Sequence, residues 1–231
     1  MSISIPKSFV KEQPVPGEAP ASFITGPDVF TPADDTLPLL TPAIREAAKL
    51  GDGPLKVADF GAGSGQLGLG FKLAYPNADV TLYEIDPKAE DYIKANIEHV
   101  GLAADAVTVV IGDVASISGN KKFDVILSSG NYVPEALKDY PSIGYVHEND
   151  PADTVYAADN GYAVQKVFIS KAFSTLKSGG MLFHISTKLQ KEEVQTILAD
   201  AGFINLAYEV DPDSTSISPI VDPGFHIAVK P

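Results

Sequence analysis

From Leu55 onward, short apolar runs alternate with helix-like segments, and this alternation is the main structural signal in the chain. Leu55–Phe60 (LKVADF) reads as a strand that runs into a cluster of glycines, with a helix over Gln66–Leu73 after it. Val80–Ile85 (VTLYEI) is the second strand. A helix from about Pro87 to His99 follows, with Pro87 in its first turn, where the missing N–H has no partner to lose. Val107–Ile111 and Phe123–Ser128 are the third and fourth strands. Val164, Val167, Phe168, Ala172 and Leu176 recur near a 3.6-residue spacing and predict a helix over about Tyr162–Leu176. Ser178-Gly179-Gly180 then turns into a fifth strand, Met181–Ser186, and Glu192–Ala201 is a last helix, stopped by Gly202. Phe203–Tyr208 and Phe225–Val229 predict an antiparallel pair at the sheet edge. Repeated strand–helix units imply an α/β fold: a doubly wound, mostly parallel, seven-stranded Rossmann-like sheet with an antiparallel edge strand.

Two segments break the pattern. Residues 1–27 carry Pro6, Pro14, Pro16, Pro20 and Pro27 with little periodicity, and read as an N-terminal arm lying on the domain or partly disordered. Residues 28–231 read as one domain, with no repeat and no second core. A long loop runs from Ser129 to about Asp153 and contains Pro134, Pro141 and Pro151. Loops of that length in a compact domain are functional or mobile.

Composition narrows the chemistry. The chain has 231 residues, 45% of them hydrophobic, with 17 Lys+Arg against 30 Asp+Glu and a net charge of −13. Arg45 is the single arginine, so a nucleic-acid binder working by phosphate neutralisation is excluded. With no cysteine there are no disulfides, thiolate metal sites or cysteine nucleophiles. No His/Asp/Glu set has metal-ligand spacing, and no Gly-x-Ser-x-Gly elbow is present. No apolar run reaches the roughly 20 residues of a membrane span, and the N-terminus lacks a signal-peptide core. The expectation is a soluble, cytoplasmic protein.

The glycine cluster is Asp59-Phe60-Gly61-Ala62-Gly63-Ser64-Gly65, directly after the first strand. In an open α/β sheet that turn lies at the carboxyl edge, where ligands bind. One register, Gly63-x-Gly65-x-x-Gly68, fits a dinucleotide fingerprint but starts late. The other, Gly61-x-Gly63-x-Gly65, begins at the strand end behind Asp59, whose burial would be costly without a cationic group nearby. Glu84 closes the second strand beside Ile85, where an acid can accept ribose hydroxyls. Asp113 closes the third, where an adenine amino group needs an acceptor. Each acid alone could be a helix cap or a turn residue. Together at three consecutive strand ends, they resemble the class I S-adenosylmethionine-dependent methyltransferases.

After the fourth strand, Ser128-Ser129-Gly130-Asn131-Tyr132-Val133-Pro134 is similar to the HemK group, which methylates glutamine in translation release factors and has Asn-Pro-Pro-Tyr here. Val29-Phe30-Thr31-Pro32-Ala33-Asp34-Asp35-Thr36 resembles that group's Pro-Ala-Glu-Asp-Thr segment, and Ala158-Asp159-Asn160-Gly161 its glycine-rich stretch. The resemblance runs from about Val29 to Gly202, without the helical substrate-recognition domain of the bacterial enzymes. It implies S-adenosylmethionine as cofactor, contacted by Thr36, Asp59, Gly61, Glu84, Asp113 and Val114, with Gly63, Gly65 and Ile85 completing that site. Ser129 stands at the family's catalytic Asn, Gly130 and Asn131 replace the prolines, and Tyr132 is kept.

Ser129, Asn131 and Tyr132 are therefore the candidate catalytic residues, orienting a small-molecule or peptide acceptor for methylation on nitrogen or oxygen. Glutamine methylation of HemK type is the alternative. A non-catalytic partner subunit and a nicotinamide dehydrogenase using the second glycine register are readings from other classes. A homodimer or a small partner protein is compatible with the sequence. His147, in the acidic stretch His147-Glu148-Asn149-Asp150, is a candidate base if the acceptor is a hydroxyl or an amine.

Overall fold

The computed structural model describes residues 10–13, 21–26, 28–29, 39–51, 53–120, 122–130, 133–137, 156–210 and 223–231. Near the N-terminus, β1 (Val10–Gln13) and β2 (Ala21–Ile24) pair antiparallel, a strand pair that the pattern of the first 27 residues does not announce. Phe23 of β2 is fully buried in the core. The backbone of Ile24 donates to Asn96 Oδ1 at 2.6 Å, while Asn96 Nδ2 donates to the carbonyls of Ile24 and Ser64, both at 2.9 Å. One buried amide thus fastens β2 to the segment that carries the glycines. Helix α1 (Leu40–Ala47), also without a sequence expectation, buries Leu40, Pro42, Ala43 and Ala47. Leu40 seats on Gly70, where a β-carbon would come within 2.5 Å of its Cδ1.

The main unit then unfolds in the expected order. It comprises β3 (Lys56–Phe60), α2 (Gln66–Ala74), β4 (Asp79–Glu84), α3 (Ala89–His99), β5 (Thr108–Ile111) and β6 (Phe123–Ser128). After β6 come β7 (Val133–Pro134) and β8 (Tyr156–Ala157), then α4 (Tyr162–Thr175), β9 (Leu176–Thr187), α5 (Lys191–Asp200), β10 (Ile204–Val210) and β11 (Pro223–Val229). Seven strands form one sheet in the order β10-β11-β9-β6-β3-β4-β5. Strand β11 runs antiparallel to both β9 and the edge strand β10, and the other described pairings in this sheet are parallel. Central strands of a parallel sheet are covered on both faces and read as continuous apolar runs, which is why VILS and VADF carried such a clear signal.

Alternate side chains serve the two faces. Val57, Val80, Val125, Leu127, Phe183 and Ile185 pack with Leu69, Phe71 and Ile93 of α2 and α3. On the other face Ala58, Phe60, Ile126 and Leu182 pack with Ile169 and Ala172 of α4 and Val194 and Leu198 of α5. Each fully buried Leu, Ile or Phe contributes about 1.5–3 kcal/mol relative to exposure.

Two differences from the sequence reading go beyond a residue or two at an element's end. Strand β9 begins at Leu176 rather than Met181, because Leu176 already pairs with Phe123 before the Ser178-Gly179-Gly180 turn shifts the register to Val125↔Met181. Part of the expected loop after Ser129 is ordered as β7, which pairs parallel with β8. Among the described residues no helix is long and apolar enough to cross a membrane.

Candidate active site

Strand β3 is where the sheet's connections change direction, since β4 lies on one side of it and β6 on the other. The carboxyl ends of β3, β4, β5 and β6 share one edge: Phe60 is level with Tyr83 and Ser128, and Glu84 with Ile111. Clefts at such a switch point are the usual ligand sites of open α/β sheets.

The turn after β3 is built on positive φ values, +74° at Gly61, +53° at Gly63 and +90° at Gly65. L-residues rarely adopt them. The amides of Gly61 and Ala62 both donate to the Tyr83 carbonyl at 3.0 Å, folding the turn across β4. A β-carbon at Gly61 would also stand 2.9 Å from the Ser129 carbonyl oxygen, so only glycine lets the β3 and β6 ends approach this closely. Over Gly63 and Gly112 there is open space, with no atom within 4 Å of where a β-carbon would be.

The three acids have distinct settings. Asp59 is fully buried, accepts from the Gly68 amide through Oδ2 at 2.8 Å, and has no partner for Oδ1. Burial pushes its carboxyl up to about 7, opposed by the Gly68 hydrogen bond and assisted by the Glu84 charge. Gly68, the third glycine of the alternative register, sits inside α2, where a β-carbon would run into Leu82 Cδ2 and lie 3.1 Å from Asp59 Oδ2. Glu84 is fixed by backbone donors: Gly63 at 2.7 Å on Oε2, with Ile85 at 2.8 Å and Asp86 at 3.0 Å on Oε1. A carboxylate has about four lone-pair sites, so three are engaged and a diol can be met in full only if one amide shares. Asp113 is exposed and caps the short turn Val114–Ser116, its Oδ1 accepting from Ala115 at 2.8 Å. Val114 is buried, whereas Ile85 at the tip of β4 is 68% exposed, an apolar surface held in solvent beside Glu84.

On the β6 side, Ser129 and Gly130 are half-buried, and the Ser129 amide donates to the Phe60 carbonyl at 3.2 Å. Helix α4 closes over them. A β-carbon at Gly130 would lie 2.8 Å from Phe168 Cε2 and 2.9 Å from Val164 Cγ1, and Phe168 meets Phe60 edge-on at 5.9 Å. This packing is invisible in the sequence, where Val164 and Phe168 read only as a helical stripe. Thr36, Asn131, Tyr132 and His147 lie outside the described residues. The edge therefore brings together Asp59, Gly61, Gly63, Gly65, Glu84, Ile85, Asp113, Val114 and Ser129. Among the described residues no cluster of His, Asp and Glu could hold a metal ion.

Residues 21–131 match the family model described as methyltransferase small domain. A release factor glutamine methyltransferase of Deinococcus radiodurans is 31% identical over 80% of this chain and 63% of its own. One from Geobacter sulfurreducens is 28% identical over 83% and 64%. The chain thus spans somewhat less than two thirds of these relatives. A methyltransferase structure from Pyrococcus furiosus aligns with a TM-score of 0.60 at 17% identity, covering 90% of this chain and 88% of that one. Sequence similarity through the glycine turn and likeness of fold along nearly the whole length point the same way: residues 21–131 match a methyltransferase small domain, and the fold is one that solved methyltransferases share.

Proposed function

We propose that this chain transfers the methyl group of S-adenosylmethionine to the side-chain amide nitrogen of a glutamine in a protein. The observation that carries this reading is the contact at the switch point, where the Ser129 carbonyl closes on Gly61 so that an acceptor strand end meets a glycine turn lined by acids. The curated relatives, named for release factor glutamine, support the choice of acceptor.

The residues present fit the cofactor. Asp59 Oδ1 is a buried acceptor without a partner, suited to a cationic amine, and the space over Gly63 and Gly112 admits a ligand close to the backbone. In this reading Asp59, Gly61, Gly63 and Gly65 hold the methionyl end and Glu84 the ribose. Ile85, Asp113 and Val114 hold the adenine, and Thr36 completes the site. When bound, the cofactor supplies a methyl already activated by a sulfonium. What the chain contributes is alignment, for which placement within about 1 Å is worth roughly 100-fold in rate. The Ser129 hydroxyl and the carbonyl of Gly130 accept the two amide N–H groups, Asn131 offers a second side-chain acceptor, and Tyr132 packs on the amide plane. Residues 28–231 are the catalytic domain in this reading, and β2 adds Phe23 to its core.

A second reading is a small-molecule acceptor methylated on nitrogen or oxygen. It is favoured by Ser129 and Gly130 themselves, a shorter hydroxyl and a looser turn than Asn-Pro would give. Incubation with methyl-labelled S-adenosylmethionine and a panel of amide, amine and hydroxyl acceptors separates the two. Label confined to glutamine amide supports the first, and label on a free amine or hydroxyl supports the second. Tyr132→Ala is expected to lower turnover while leaving S-adenosylhomocysteine affinity unchanged, and an unaltered rate removes Tyr132 from the site.

A further inference from the structure

On the face of the sheet that carries α4 and α5, one register level holds a transverse row: Tyr208 of β10, His226 of β11, His184 of β9, Ser128 of β6, Phe60 of β3 and Tyr83 of β4. The half toward β4 is aromatic. The other half is polar and buried, with Ser128, His184 and His226 each at most 1% exposed. Such groups are costly in a core unless they are hydrogen-bonded.

His184 is hydrogen-bonded at both ring nitrogens. Ser128 Oγ lies 2.9 Å from Nδ1, and Gln165 Oε1 lies 3.0 Å from Nε2. Gln165 Nε2 donates to the Gly161 carbonyl at 2.8 Å, so its oxygen faces the imidazole and accepts from Nε2–H. Nδ1 is then the acceptor and the Ser128 hydroxyl the donor. Burial lowers the His184 imidazole to about 3, so the ring stays neutral and does no acid–base work near neutral pH.

The chain of bonds joins two segments that matter to the site. One end is Ser128, the residue before Ser129. The other is the turn Asp159-Asn160-Gly161, whose three residues all have positive φ, 55°, 55° and 85°. For the first two that conformation is unfavourable and must be held by its surroundings. Gln190 Nε2 supplies a second tie by donating to the Asn160 carbonyl at 2.9 Å. This turn starts α4, which lays Val164 and Phe168 on Gly130.

We propose that His184 is a positioning residue, locking the end of β6 to the start of α4 so that the Ser129–Gly130 main chain keeps one placement beside Gly61. The proposal rests on the reading above that Ser129 and Gly130 face the acceptor. His184 touches neither cofactor nor acceptor.

Four variants test it: His184→Phe, His184→Gln, Ser128→Ala and, as a control of similar burial on the next strand, His226→Phe. The primary readout is amide hydrogen exchange at Ser129, whose N–H is bonded to Phe60. His184→Phe and Ser128→Ala are expected to speed that exchange by about tenfold or more. In both, S-adenosylhomocysteine affinity stays within about twofold of wild type, and kcat on a release factor falls about tenfold or more with little change in KM. His184→Gln, able to accept from Ser128 and donate to Gln165, restores most of both, whereas His226→Phe alters neither. Should His184→Phe fold poorly, Ser128→Ala reads the same bond with a minimal change of volume. Unchanged Ser129 exchange in Ser128→Ala, or an equal loss in His226→Phe, overturns the proposal. A wild-type protein that leaves release-factor glutamine unmodified overturns the acceptor reading instead, and the exchange comparison still decides the role of His184.

Discussion

The Gly68 amide donates to Asp59 Oδ2 at 2.8 Å, and the other carboxyl oxygen of Asp59 is buried without a partner. A half-satisfied carboxyl in the core is unfavourable in its charged form, and burial accordingly raises it to about 7. The folded protein therefore binds this proton more tightly than the unfolded chain does. The resulting stabilisation is fully present below the ordinary aspartate value of about 3.8 and is lost as pH rises through about 7. Asp59→Asn lacks that loss, so its stability relative to wild type is expected to climb between pH 4 and pH 7 and level off above. Urea titrations at several pH values measure the gap, and a gap that stays constant removes the raised carboxyl from the account.

In the proposed site the same carboxyl links cofactor affinity to pH. A cationic amine beside Asp59 favours the charged form, so binding releases a proton below about pH 7 and tightens by up to about tenfold per pH unit there. Asp59→Asn should flatten this dependence, and Asp59→Ala should weaken S-adenosylhomocysteine binding by more than about tenfold, about 1.4 kcal/mol. Calorimetry in buffers of different ionisation enthalpy counts the released proton. Unchanged affinity in Asp59→Ala takes Asp59 out of the cofactor site.

Glu84 holds the glycine turn and, in the proposed site, also the cofactor. Its three backbone donors tie the glycine turn to β4, so Glu84→Ala leaves the Gly63, Ile85 and Asp86 amides without that acceptor. A loss of about 1–3 kcal/mol of stability is expected, read as a lower melting temperature. Cofactor affinity should fall as well, and saturating S-adenosylhomocysteine should recover less stability than in wild type. Full recovery of the wild-type increment would show that Glu84 serves the fold alone.

Gly130 and Phe168 should behave as a coupled pair. Gly130→Ala places a carbon 2.8 Å from Phe168 Cε2 and 2.9 Å from Val164 Cγ1, which must displace either the helix or the Ser129–Gly130 turn. A cost of about 1–3 kcal/mol is expected from the crowding. Adding Phe168→Ala makes room, so the double variant should be more stable than the sum of the single changes by about 0.5–3 kcal/mol. Additive losses in a double-mutant cycle would mean that the two residues do not share the constraint.

Much of this architecture was legible because its causes are local. Apolar runs such as VTLYEI and FDVILS, each followed by a helical stripe, specify a parallel sheet, and the glycines at 61, 63 and 65 sit where only positive φ closes the turn. The acids at strand ends were legible for the same reason, since periodicity places Asp59, Glu84 and Asp113 at one edge. The β1–β2 pair and α1 were not, because proline-rich flanks hide their pattern and a distant residue, Asn96, holds β2 in place. Nor was the His184 chain, whose members are separated by 56 and 19 positions and meet only through strand pairing. In sequence, His184 is simply a polar residue in an apolar strand.

The acceptor remains the centre of the account, and mass spectrometry of a release factor after incubation with this protein and S-adenosylmethionine tests it most directly. The expected product carries a single added methyl on a glutamine side-chain nitrogen, strongly diminished with Tyr132→Ala. Tight binding of S-adenosylhomocysteine with no modified glutamine, or a methyl found on another acceptor, would contradict the assignment.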